Sequence, residues 1–177
     1  MTYFNDLILK RESCRNYTGE KIDTDLILKC VDSARLSPSA CNSQPWKYYV
    51  INDEENAQKI RTCIQPNGAN KFTDNCPAFV IVTEQEATLK PHVAERVKNK
   101  QIWAENDIGI SVAHYCLQAA DLGLGTCIIG MVDEEKVKEL FNVTGRVRLV
   151  IATGISADEA PRKKNRKALE DVCEVIE

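Results

Sequence analysis

Arg11, Glu12, Ser13, Cys14 and Arg15 place two guanidiniums on either side of a hydroxyl within five positions. Arginine offers a planar fork of N–H donors that matches phosphate oxygens, and a serine hydroxyl adds one more donor. The stretch reads as an anion site or, taken alone, as a solvated charge cluster. A second cationic stretch lies near the far end of the chain. Pro161 to Lys167 (PRKKNRK) holds five cations and no acid. Alone it is a solvated run or a nucleic-acid patch. Folded back beside Arg11 it completes a phosphate cradle drawn from both ends of the polypeptide.

Two further stretches could meet a flat ligand. Ser37 to Trp46 (SPSACNSQPW) is a loop of small polar residues and amides punctuated by Pro38 and Pro45. Loops of this kind on a rigid scaffold concentrate binding groups. Gly123 to Gly130 (GLGTCIIG) follows a helical pattern rather than a strand, so its Gly-x-Gly is not the dinucleotide fingerprint. Gly130 leaves room for a ring system against the backbone.

Classical catalytic chemistry is poorly supplied. The two histidines are His92 and His114, and His114 falls inside a helical pattern. There is no Gly-x-Ser-x-Gly, no Walker loop and no set of metal-spaced carboxylates. The eight cysteines include no C-x-x-C and none at zinc-ligand spacing from a histidine, so no metal is expected. They read as reduced core thiols. An enzyme with these residues leans on an organic cofactor for its difficult step.

The elements that must position these groups are legible from periodicity. A first helix runs to about residue 12. Asp23 or Thr24 caps a helix to about Arg35, with Leu26, Ile27, Cys30, Val31 and Ala34 at helical spacing. Trp46 to Ile51 reads as a strand, and Asn52 or Asp53 opens a helix to about Ile64. Residues 65–75 are loop by their Pro, Gly and Asn content. Ala78 to Thr83 is a continuous apolar run, as in a strand buried on both faces. Residues 84–104 are polar and read as a helical or irregular connection. A strong helix spans about Asp107 to Leu122 and is stopped by Gly123 and Gly125. Cys127 to Ile129 is a short strand, Asp133 caps a helix through Phe141, and Val147 to Thr153 is a last strand. The mixture implies an α+β fold with helices around a sheet.

The chain has 177 residues, 44% hydrophobic and 28% charged, the composition of one folded domain spanning 1–177. Its net charge of -3 leaves a formal -8 outside the basic heptapeptide, which argues against a general nucleic-acid or anionic-membrane binder. No apolar run approaches the roughly 20 residues of a membrane helix, and no signal pattern opens the chain. A cytoplasmic location is expected.

Taken in order, RESCRNYTGEKI, ARLSPSACNSQPWKYYVI, DIGISVAHYCLQAADLGLGTCIIG and PRKKNRKALEDV resemble the nitroreductase family of FMN-dependent oxidoreductases. The resemblance implies a mixed, mainly antiparallel sheet flanked by helices, in an intertwined homodimer with FMN at the interface. It implies that Arg11 and Ser13 hold the FMN phosphate and ribityl chain, with Glu12 beside them. Lys164 and Arg166, in the basic tail of about 155–177, complete the phosphate site. It places Arg15 at the pyrimidine end of the isoalloxazine, where a cation stabilises the reduced anionic ring. Pro38, Ser39, Ala40 and Asn42 reach the flavin from the partner subunit. Ile128, Ile129 and Gly130 lie against the ring, and Asn70 stands near its pyrimidine edge. The implied reaction is ping-pong: NADH or NADPH delivers hydride to flavin N5, and a nitroaromatic, quinone or similar acceptor takes the electrons. A flavin carrier or sensor, a dehalogenase-like enzyme and a flavin-fragmenting one are the alternatives. The stretch 84–105 is short for the family, which implies a differently covered pocket.

Overall fold

The apolar run Ala78–Glu84 forms strand β2, in which all seven residues are buried. Side chains alternate across a strand, so Ala78, Val80 and Val82 face one layer while Phe79 and Ile81 face the other. Two helical layers are needed to bury both faces, and the chain supplies them. Helices α2 (Thr24–Arg35) and α5 (Ala104–Asp121) cover the first face through Ile27, Cys30, Ala34, Ile108, Val112 and Tyr115. Helices α3 (Glu54–Ile64) and α6 (Glu134–Phe141) cover the second through Ala57, Ile60, Ile64 and Val137. The computed structural model describes residues 2–176.

The remaining strands are β1 (Trp46–Ile51), β3 (Gly125–Ile129) and β4 (Arg146–Gly154). The sheet order is β1-β2-β4-β3 and every strand pairing is antiparallel. A single parallel bridge, Ser13 to Thr126, adds to it at the β3 edge. The fold is therefore α+β, as expected. Polar side chains pin the layers where apolar packing ends. Ser111 Oγ donates to the Ala34 carbonyl at 2.9 Å and lies 2.7 Å from the Tyr48 hydroxyl. Tyr115 stacks on Tyr48 with centroids 6.4 Å apart. Burial pushes the Tyr48 hydroxyl up to about 12, so it stays a neutral hydrogen-bonding group at ordinary pH.

Element ends differ from the sequence expectations for identifiable reasons. Helix α1 (Tyr3–Lys10) stops short of residue 12 because residues 11–15 turn away to join β3. Helix α5 ends at Asp121, and Gly123 takes a left-handed φ of 80°. Gly125 is not a helix stop but the first residue of β3. The connection 85–103 contains one short helix, α4 (Pro91–Ala94), and is otherwise tied down by side chains. Gln101 Nε2 donates to Glu84 Oε1 at 2.6 Å and to the Gln85 carbonyl at 3.0 Å. Arg148, left out of register opposite Val82 and Thr83, pairs with Glu84 and, at 2.6 Å, with Glu105. Among the described residues no helix is long and apolar enough to cross a membrane.

Candidate functional site

The two cationic stretches meet. Residues 11–15 run along the free edge of β3, where the Cys14 N–H donates to the Thr126 carbonyl at 2.8 Å. Close approach is possible only because position 125 is glycine: a Cβ there would lie 2.8 Å from both Cβ and Sγ of Cys14. At the other end, the chain leaving β4 doubles back beside residues 16–18. Thr18 N–H donates to the Ile155 carbonyl and Ala157 N–H to the Asn16 carbonyl, each at 3.0 Å, and Tyr17 bridges Ser156. This path delivers the basic tail to residues 11–13. Lys164 Nζ donates to the Arg11 carbonyl at 2.7 Å, and the Arg162 guanidinium donates to the Ser13 carbonyl. The result is a cleft of about 280 Å³ lined by Arg11, Glu12, Ser13, Arg15 and residues 162–166.

Its charge is unbalanced. Among the described residues, Arg11, Arg15, Arg162, Lys163, Lys164 and Arg166 line it with one carboxylate, Glu12. The Lys164 ammonium is pushed below the usual lysine value, first by desolvation and then by Arg11, with Glu12 opposing and Arg166 and Arg162 adding to the effect. Crowded like charges of this kind are relieved by a multiply charged anion, and the lining donors are those a phosphate takes. The cleft thus fits the phosphate of FMN. Glu12 itself is already engaged: its Oε2 accepts from Arg162 N at 3.2 Å and from Arg162 Nε at 3.1 Å.

Beyond the cleft the β3 edge is open. Ile128 is 48% exposed, whereas Ile129 points into the core at 4%. Nothing lies within 4 Å of the space a side chain at Gly130 would occupy. Only the backbone of Ile129 is therefore available to a ring, together with the side chain of Ile128. Arg15 lies over the Phe72 ring at 5.8 Å, which brings the 70–73 turn beside it. Arg15 is also close enough to Cys127 to draw its thiol pKa down, although burial dominates and the net shift is upward. Asn70 starts that turn with a left-handed φ of 53°, and its amide donates to the Ile64 carbonyl at 2.7 Å. Its side chain is committed to shaping the turn.

The loop holding Pro38, Ser39, Ala40 and Asn42 does not join this cleft within the chain. Ala40 N–H donates to both carboxylate oxygens of Asp107, at 3.2 and 3.1 Å, in the first turn of α5. The cleft lies at the far end of that helix, where Arg11 and Glu12 line a pocket with Ala120, and 18 residues span about 27 Å. The loop also leads into β1, the edge of the sheet opposite β3. Cys41, Asn42 and Gln44 all have left-handed φ, at 55°, 55° and 49°. Ser39 Oγ accepts from the Gln44 N–H at 3.0 Å and closes the loop on itself. Apolar surface is left uncovered elsewhere: Tyr3, Phe4, Ile8 and Leu9 on α1, and Leu169, Val172, Val175 and Ile176 on the tail, are exposed.

Arg162, Gly125 and Asp107 were not singled out as site residues from sequence. Arg162 was visible in the basic run, and in an extended segment 162, 164 and 166 share a side, which is the signal that could have found it. Gly125 and Asp107 act only through tertiary contacts, and nothing local in sequence marks them. His114 Nδ1 lies 2.9 Å from the Ile110 carbonyl in its own helix. Among the described residues no three His, Cys, Asp or Glu side chains stand together as a metal site, and all eight cysteines are free thiols.

The nitroreductase family sequence model matches residues 8–65 and 56–155, which together span most of the chain. A relative from Archaeoglobus fulgidus, provisionally named NADH dehydrogenase/NAD(P)H nitroreductase, is 26% identical over 159 residues, covering 86% of this chain and 85% of its own. The crystal structure of a nitroreductase family protein from Clostridium novyi is 28% identical with a TM-score of 0.73, covering 89% of this chain and 87% of that one. A structure from Exiguobacterium sibiricum in complex with FMN shares the fold at 21% identity and a TM-score of 0.83, covering 99% and 98%. With its sheet order, its edge-lining cations and these matches, the chain belongs to the nitroreductase family.

Proposed function

We propose that this chain is an FMN-dependent oxidoreductase that takes reducing equivalents from NADH or NADPH and works as a homodimer. The observation that carries the reading is the convergence of six cations from opposite ends of the chain on one cleft beside an open sheet edge. Arg11, Ser13, Lys164 and Arg166 hold the phosphate, and Arg15 lies toward the ring. Ile128 and the backbone at Ile129 and Gly130 provide the surface on which the isoalloxazine rests. The Exiguobacterium neighbour was solved with FMN, and the Archaeoglobus relative carries an NAD(P)H name, which supports both the cofactor and the donor.

When bound, FMN supplies hydride acceptance from the nicotinamide and electron delivery to an oxidised acceptor such as a quinone or nitroaromatic. The residues supply placement and charge. Arg15 sets a fixed positive charge where negative charge accumulates on reduction. Water serves as the proton source for the acceptor. The 38–42 loop, distant from its own cleft, covers the flavin of a second copy, and the exposed apolar residues of α1 and the tail are buried in that pairing. The test is a spectrum of the purified protein with anaerobic titration by each nucleotide. We expect one FMN per chain, bleached by NADH or NADPH and restored by a quinone. Colourless protein that takes up no added FMN overturns the reading; bound flavin that neither nucleotide reduces makes the chain a carrier.

A further inference from the structure

Among the described residues, Glu12 is the one carboxylate lining a cleft of six cations. A carboxylate facing a phosphate repels it, so a role as ligand is physically unfavourable. Its position answers a different need. The side chain is only 15% exposed, and one oxygen accepts from both the backbone N–H and the guanidinium Nε of Arg162. A further guanidinium nitrogen of Arg162 donates to the Ser13 carbonyl. The clasp therefore fixes both backbone and side chain at the point where the tail enters the cleft. Residues 161–168 form no helix or strand and are exposed apart from half-buried Lys164. Beyond the clasp, the hold on residues 11–15 is one hydrogen bond, from Lys164 to the Arg11 carbonyl. Six like charges work against that hold.

We propose that Glu12 is a positioning residue, a charged pin that docks the basic tail through Arg162 and so assembles the phosphate cradle before any anion arrives. The effect on cofactor affinity rests on the FMN reading above; the docking itself does not. Anion binding and tail docking are linked, since a ligand that binds only the docked arrangement stabilises it. Phosphate supplies the counter-charge, and Glu12 supplies the register.

The test is hydrogen–deuterium exchange of peptides covering 160–168, with FMN, with inorganic phosphate, with riboflavin and with no ligand, paired with FMN titration. In the wild type we expect slowed exchange without ligand. Further slowing is expected with FMN and with phosphate, and none with riboflavin, which lacks the phosphate. Glu12→Ala should speed exchange in the ligand-free protein and weaken FMN binding about tenfold, the factor for losing roughly one charge-assisted hydrogen bond. Glu12→Gln, whose amide oxygen can still accept from the Arg162 N–H and Nε, should retain part of the protection. Unchanged exchange in Glu12→Ala overturns the pin. So does a fall in FMN affinity with exchange unmoved, because that marks a direct ligand. A wild-type segment already exchanging as an open chain also overturns it. Wild-type protein that binds no FMN overturns the functional reading alone, and the ligand-free comparison still decides the pin.

Discussion

The cationic cleft consists of charged side chains on a plain extended backbone, whereas the 38–44 loop consists of small uncharged residues on a strained one. In the cleft, the backbone of residues 11–15 bonds to β3 and guanidinium and ammonium groups form the lining. In the loop, three of four residues from Cys41 to Gln44 adopt left-handed φ, which costs a residue with a Cβ about 1 kcal/mol or more. Asp107 and Ser39 hold that geometry. The cleft is lined by both ends of one chain, and the loop stands apart from it at the opposite edge of the sheet. Strain held in place without a local purpose belongs to a contact made elsewhere. In the dimer proposed above, the two regions are halves of one site that a second copy brings together.

Predictions that separate the halves follow from this contrast. Arg11→Ala combined with Arg166→Ala removes two charge-assisted contacts of roughly 1.5 to 3 kcal/mol each. FMN affinity, followed by flavin fluorescence, should fall by at least about a hundredfold while thermal stability hardly moves. Asp107→Ala strikes the other half. It leaves the Ala40 N–H without a partner and should cost about 1 to 3 kcal/mol of stability by denaturant titration. FMN binding should weaken while inorganic phosphate binding stays unchanged; equal losses for both ligands would break the separation. Arg15→Ala should leave FMN in place and lower its midpoint potential on the order of tens of millivolts, measured by spectroelectrochemistry.

The smallest effect lies outside both halves. The Asp53 carboxyl caps α3, accepting from the Asn56 N–H and side-chain amide at 2.9 Å each, and these bonds hold its pKa below 3.8. A lowered carboxyl stabilises the fold above the ordinary value, and that contribution is lost as pH falls through the lowered one. Asp53→Ala should cost about 1 kcal/mol at neutral pH, with the difference from wild type narrowing in acid and flavin binding untouched.

Much of the scaffold was legible because it rests on short-range pattern. The apolar run of β2, the spacing in α2 and the Asp23, Asp53 and Asp133 caps each announce themselves locally. The connection 85–103 was not, because Gln101, Glu84 and Arg148 hold it by polar contacts with no period. Of the candidate site, residues 11–15, the loop and the basic run were visible as chemistry. That the two basic stretches meet was also anticipated, but not the contacts that position them and the loop, because Gly125 acts by what it lacks and Asp107 by a bond across 67 positions. Glu12 illustrates the limit: its partner Arg162 lies 150 residues away.

Sedimentation velocity followed at the flavin absorbance decides whether a second copy completes the site. The yellow boundary should move as a dimer carrying one FMN per chain, and dilution into monomers should release the flavin. Tightly held FMN sedimenting with a single chain would contradict it.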